Sequence, residues 1–133
     1  MRLEISEISC NFAPMNETKI LVNKIVEALQ DKKGQKIMTL DVSGLDGSIC
    51  NYFIVAQGNT PTQVSALSDS VWDKVGDDLK EKPLGAIGMQ DAQWIAMDYG
   101  TVIVHIFIPE LRRFYDLETL WADADTIEIP DDL

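Results

Sequence analysis

The chain has 133 residues, of which 46% are hydrophobic and 25% charged, a composition typical of one globular domain with a single core. Acidic residues number 22 against 11 basic ones, and the net charge of −11 disfavours direct binding to nucleic acid, whose phosphates are held by clustered basic groups. No apolar run approaches the roughly 20 residues of a membrane-spanning helix, and the two cysteines provide no metal site, so we expect a cytoplasmic protein without membrane contact, metal or cofactor.

The first part of the chain contains two helical and two strand patterns. Residues 18–33 carry apolar side chains at helical spacing and predict a first helix. Residues 37–42 and 52–56 are short runs rich in β-branched and aromatic residues, which predict two strands. Residues 60–63 form a capping box with proline at the first helical position, so they predict the start of a second helix, which must end before Pro83.

The second part of the chain predicts a β-hairpin between a weak strand and a last helix. Residues 83–87 are the weak strand, and two strong strands at 93–98 and 102–107 are joined by a turn at Tyr99 and Gly100. A proline opens the last helix. Four apolar residues are predicted to share one face of that helix: Leu111, Phe114, Leu117 and Trp121.

The element order α-β-β-α-β-β-β-α predicts an α/β (α+β) fold, in which a mixed sheet of about five strands is flanked by helices. The sheet resembles that of nucleotidyltransferases, which implies a nucleotidyltransferase-like topology. We expect a disordered N-terminal extension at 1–16, a folded domain at 17–122 and an acidic C-terminal tail at 123–133. Residues 122–133 hold five acids and no base, so the tail is predicted to be a solvated charge run.

The hairpin separates an apolar face from a mixed one. If Asp98 pairs with Thr101, alternation directs Ile95, Met97, Val102 and Val104 to one side, which suits a core beneath helices. The other side then holds Trp94, Ala96, Asp98, Thr101, Ile103 and His105. A tryptophan among small and polar groups on a rigid sheet meets the requirements of a protein-binding hot spot. The alternative is that a helix covers this side and simply buries the tryptophan.

The sequence offers little support for catalysis. His105 is the only histidine, and because no motif places a nucleophile beside it, we interpret it as a structural or interface residue. The pair at 47–48 is the Gly-Ser that nucleotidyltransferases carry, but those enzymes also need carboxylates on adjacent strand positions. The strand that follows has none at 51–55, and Asp123 and Asp125 lie in the predicted tail. We therefore predict a protein that is not an enzyme.

Five stretches, in this order and at these spacings, resemble the ribosomal silencing factor family, also called Iojap-like, from about residue 18 to residue 122. They are Leu-Asp-Val at 40–42, Tyr-Phe-Ile-Val-Ala at 52–56 followed by Gly58, Trp-Ile-Ala-Met-Asp-Tyr-Gly at 94–100, Val-Ile-Val-His-Ile-Phe at 102–107, and Arg-Phe-Tyr-Asp-Leu-Glu at 113–118 ending in Leu-Trp at 120–121. The resemblance implies a cytoplasmic protein that docks on ribosomal protein L-fourteen of the large subunit. Docking there blocks joining of the small subunit and represses translation.

The resemblance also implies a docking site on the hairpin. The family residues that match Trp94 and Tyr99 lie in the docking surface, and Tyr99 sits in the predicted turn, where it can reach outward. The expected partner-binding residues are Trp94, Ala96, Met97, Asp98, Tyr99, Gly100, Thr101 and His105. An acidic chain suits this function, because it is repelled by ribosomal RNA and attracted by a basic protein surface.

The chain departs from the family pattern at three positions. Thr62 and Thr101 stand where the family commonly has an arginine and an aspartate, and Ile87 stands where it has an acidic residue.

Two other functions stay open at this point: a nucleotidyltransferase-like enzyme, and a dimerisation or scaffold module without a ribosomal role. The sequence also leaves open whether the free chain forms a homodimer.

Overall fold

The computed structural model describes residues 13–42, 51–116, 119 and 124–129. In chain order the elements are α1 (Ala13–Asp31), β1 (Gln35–Asp41), β2 (Tyr52–Gln57), α2 (Pro61–Leu79), β3 (Gly85–Ile87), β4 (Trp94–Asp98), β5 (Val102–Phe107), α3 (Pro109–Tyr115) and β6 (Asp125–Ile129). Residues 13–16 of the predicted extension thus belong to the first turn of α1, and residues 1–12 lie outside the described part of the chain.

The strands form one mixed sheet in the order β3-β4-β5-β2-β1-β6. The central pair, β2 and β5, is parallel, and the other four neighbouring pairs are antiparallel. This arrangement confirms the predicted mixed α/β fold, with six strands in place of about five.

The additional strand is β6, which corrects the prediction of an acidic tail. It pairs antiparallel with β1, so that Ile129 lies opposite Ile37 and Ile127 opposite Thr39. The two isoleucines alternate with Thr126 and a glutamate, which is the period of a strand. The five acids of residues 122–133 favoured the prediction of a solvated tail over that of a strand. The strand also depends on pairing with β1, which lies far away in the sequence.

Helices α1 and α2 pack together on one face of the sheet and enclose the main core. The largest fully buried members of this core are Ile25, Leu29, Ile37, Ile54, Leu67, Ile95, Met97 and Ile106. The start of α2 is as predicted: Thr60 Oγ1 accepts a hydrogen bond from Gln63 N at 3.1 Å, and Gln63 Oε1 accepts one from Asn59 N at 2.8 Å.

The register of the β4–β5 hairpin differs from the predicted one by two residues. Asp98 lies opposite Ile103 rather than Thr101, and Tyr99 N donates to Val102 O at 2.8 Å. The turn therefore consists of Gly100 and Thr101, and Gly100 adopts a φ of +89°, which favours glycine. Because the shift is an even number of residues, the strand side chains keep the faces that alternation predicts.

Helix α3 is shorter than predicted, because Asp116 takes a left-handed conformation and ends it. Leu111 packs against the sheet, but Phe114 points into solvent, which corrects the predicted shared face. Leu117 and Trp121 lie outside the described residues. Within the described part of the chain, no helix is long and apolar enough to cross a membrane.

Candidate docking surface

The face of the sheet opposite α1 and α2 carries a second, smaller core. Its buried members are Leu40, Val42, Phe53, Val55 and Phe107, and the partly buried Trp94, Ile103 and Leu111 pack against them. Helix α3 covers only part of this face. Trp94 is consequently neither fully covered by a helix nor freely exposed, and its surroundings decide what it can offer to a partner.

Trp94 and His105 form the central polar contact of this face. Trp94 Nε1 donates a hydrogen bond to His105 Nδ1 at 3.1 Å. Since an indole nitrogen only donates, His105 Nδ1 must be unprotonated, and the neutral ring carries its proton on Nε2. Burial lowers the pKa of His105 to about 4 and so stabilises this neutral form. His105 therefore holds the tryptophan in place.

Aromatic rings surround this hydrogen bond on both sides. The Trp94 ring lies 5.2 Å from that of Phe107 and 4.6 Å from that of Tyr115, between ring centroids. Phe53 lies 5.5 Å from His105, and Phe114 meets Tyr115 edge-on at 5.1 Å. We call these six rings the aromatic cluster: Phe53, Trp94, His105, Phe107, Phe114 and Tyr115. The contacts with Phe107 and Tyr115 fix the orientation of the tryptophan ring.

Sequence reasoning missed four members of the aromatic cluster. Phe53 and Phe107 alternate with core residues of β2 and β5, so strand periodicity could have placed them beside Trp94. The two rings contributed by α3 depend on where that helix docks. Arg112 helps to fix that position, because its buried guanidinium donates to Lys36 O at 2.6 Å. No local pattern predicts this contact.

Six of the predicted partner-binding residues lie along the outer face or in the turn. Trp94, Ala96 and His105 are partly buried there, Asp98 and Gly100 are exposed, and Thr101 is partly exposed. Asp98 Oδ1 accepts a hydrogen bond from Gly100 N at 2.7 Å, which ties the turn to the strand before it.

The other two predicted residues, Met97 and Tyr99, face the helices instead. Met97 is 0% exposed and Tyr99 only 7%, so the expectation that Tyr99 reaches outward is wrong. The two-residue register shift continues the alternation of β4 through Tyr99 and directs its ring into the main core. Its hydroxyl is buried without a hydrogen-bond partner. Burial, and secondarily Glu81, raises the pKa of Tyr99 to about 12.

The described residues include no group of three or more His, Cys, Asp or Glu side chains that could hold a metal ion. Asp125 belongs to β6 rather than to a tail and lies opposite Asp41 on β1. Burial, together with Asp41, raises the pKa of the neighbouring Tyr52. Asp123 and the Gly-Ser pair at 47–48 lie outside the described residues.

Comparison with known proteins identifies the family. The family model described as "Ribosomal silencing factor during starvation" matches residues 15–133, which includes β6. The ribosomal silencing factor of Chromobacterium violaceum is 41% identical over 100 residues, covering 73% of this chain and 78% of the relative. That of Halalkalibacterium halodurans is 33% identical over 109 residues, covering 82% and 92%.

A crystal structure of a Chromobacterium violaceum protein has the same fold, with a TM-score of 0.74 and 36% identity over 78% of this chain and 85% of the other. The names of the two relatives describe silencing factors and not enzymes, in agreement with the predicted non-enzymatic function. On these matches, which span most of its length, the chain belongs to the ribosomal silencing factor family.

Proposed function

We propose that this protein binds ribosomal protein L-fourteen on the large ribosomal subunit through the outer face of the β4–β5 hairpin. Bound there, it occupies space that the small subunit needs, so the subunits do not join and translation is repressed in the cytoplasm. The observation that carries the proposal is Trp94, a large and partly exposed ring on a rigid sheet. Family membership supports a ribosomal partner.

The fixed position of Trp94 favours tight binding. Its ring is held by Phe107, Tyr115 and His105, so little side-chain entropy remains to be lost when a partner covers it. Its indole N–H is already bonded to His105. The tryptophan therefore offers a partner apolar area, and the exposed Asp98 supplies polar contacts nearby.

The charge of the chain favours a basic protein as the partner. With a net charge of −11, the molecule is repelled by ribosomal RNA but attracted to a positively charged protein on the subunit surface. The negative net charge of the chain thus favours binding to basic proteins of the ribosome over binding to its RNA.

A sedimentation experiment tests this proposal. Small and large subunits are mixed with and without excess protein, and the profile of joined ribosomes is recorded together with nucleotide consumption. We expect the protein to co-sediment with large subunits and to reduce joined ribosomes without consuming nucleotide. An unchanged profile would refute steric antagonism.

Two controls separate the alternatives. Trp72→Ala, the control for Trp94→Ala, removes another partly exposed tryptophan, which lies on α2 at the opposite face of the sheet. It is expected to reduce joined ribosomes as the wild type does. A dimerisation or scaffold module would leave the large subunits unbound. Sedimentation equilibrium of the free chain, in a separate run, measures whether it is a homodimer.

A further inference from the structure

Phe114 exposes 78% of its surface, more than any other described aromatic residue. A phenyl ring has no polar atom that water can satisfy, so leaving it in solvent forgoes the free energy of burial. The ring meets that of Tyr115 edge-on at 5.1 Å with the planes at 89°. A large apolar group that is exposed beside other aromatic rings is suited to contact a partner.

The ring of Phe114 is continuous with the surface around Trp94. Tyr115 contacts Phe114 on one side and Trp94 on the other, where the ring centroids are 4.6 Å apart. Arg112 anchors the same helix to the sheet through the backbone oxygen of Lys36. The three rings therefore form one aromatic surface that extends from β4 onto α3, on a rigid base.

We propose that Phe114 is a second anchor of this surface and inserts into an apolar pocket on the same ribosomal protein that Trp94 contacts. This inference rests on the proposed function and adds α3 to the docking surface. The gain in affinity comes from removing the ring from water.

The charges around Phe114 favour a protein over RNA as the occupant. The exposed charged residues of α3 and its cap are Glu110, Arg113 and Asp116, whereas Arg112 is buried. Stacking of a nucleotide on an aromatic side chain normally accompanies a positively charged groove that follows the backbone. One exposed arginine between two acids does not provide such a groove.

The test compares Phe114→Ala with the matched control Ile20→Ala. Ile20 is 53% exposed on α1, at the opposite face of the sheet. Affinity for isolated ribosomal protein L-fourteen and the melting curve are measured for both variants and the wild type. We expect Phe114→Ala to raise Kd about tenfold or more without lowering Tm, and Ile20→Ala to change neither. Phe114→Leu, which keeps most of the apolar area, should retain most of the affinity.

Each result distinguishes the anchor from the proposed function. Wild-type affinity in Phe114→Ala overturns the anchor but leaves the docking proposal intact. Failure of the wild type itself to bind refutes docking on this protein, and the anchor with it. If Phe114→Ala weakens binding to whole large subunits but not to the isolated protein, the ring contacts RNA or another ribosomal protein, and a pocket on ribosomal protein L-fourteen is the wrong occupant.

Discussion

Trp94 donates its indole N–H to His105 Nδ1 along a diagonal of the β4–β5 ladder, because the residue directly opposite Trp94 is Phe107. A diagonal pair spans more distance than a directly opposed one, and long ring side chains can reach across it. The bond exists only while His105 is neutral. The geometry of the candidate docking surface is thus linked to the protonation of a single imidazole.

This link predicts a pH dependence of stability. Burial lowers the pKa of His105 from 6.5 to about 4 in the folded state, so between these values the unfolded chain binds a proton that the folded chain does not. The contribution of His105 to the free energy of unfolding should be constant above pH 7 and should fall by about 3 kcal/mol as the pH decreases to 4. Urea unfolding at a series of pH values measures the effect.

Other groups also titrate over this range, so the comparison is made with His105→Gln. Glutamine can accept the indole hydrogen bond but does not titrate. The wild type should lose more stability than this variant between pH 6.5 and 4. Parallel curves of stability against pH for the two proteins would show that folding does not lower the pKa of His105.

Substitution of Trp94 should separate packing from docking. Trp94→Phe keeps a ring against Phe107 and Tyr115 but removes the donor to His105, and is expected to cost about 1 kcal/mol of stability. Trp94→Ala also removes the docking area and should cost ~2 to 4 kcal/mol in affinity. Melting curves and binding to ribosomal protein L-fourteen are recorded together. If Trp94→Ala loses binding only in proportion to the fraction that its melting curve shows to be unfolded, Trp94 has a purely structural role.

Tyr99→Phe is predicted to stabilise the protein. The hydroxyl of Tyr99 is buried without a partner, so its removal relieves a desolvation cost of about 1 kcal/mol. Affinity for the ribosomal partner should not change, because the ring faces the helices. Tyr52→Phe is the matched control, since Tyr52 hydrogen-bonds to Asp41 and should lose stability instead. A less stable Tyr99→Phe would reveal a partner for the hydroxyl.

Gly88→Ala is predicted to destabilise the entry to β4. Gly88 has a φ of +83°, and a Cβ at this position would collide with the backbone carbonyl oxygen of Trp94. We expect a loss of about 2 kcal/mol or more, together with weaker docking because Trp94 must shift. Gly85→Ala, where a Cβ meets nothing within 4 Å, should change stability by less than about 0.5 kcal/mol. Chemical denaturation of both variants decides between strain and a general effect of losing glycine.

Local patterns predicted those features whose causes are local. Alternation assigned Trp94 and His105 to one face and Ile95 to the other, and this assignment survived the register shift because the shift was even. The capping box fixed the start of α2, since Thr60 and Gln63 satisfy the first backbone donors of their own helix.

Features that depend on distant partners escaped prediction. Strand β6 needs β1, which lies more than eighty residues earlier in the chain. The position of α3 needs the contact between Arg112 and Lys36. The inward direction of Tyr99 follows from a turn at Gly100 and Thr101, which the sequence alone placed one residue too early. Correcting these last two predictions turns Tyr99 away from the candidate surface and extends that surface towards α3.

The position of β6 beside β1 bears on how the chain avoids aggregation. Synthesis proceeds from the N-terminus, so β1 is made early but gains its outer neighbour only when residues 125–129 emerge. Until then β1 presents unpaired backbone groups next to buried apolar side chains such as Ile37 and Leu40, a template for pairing with another chain. Once in place, β6 gives the finished sheet an edge that carries the exposed acids Asp125 and Glu128. Like charges on this edge repel a second copy, so the last strand to be made protects the first.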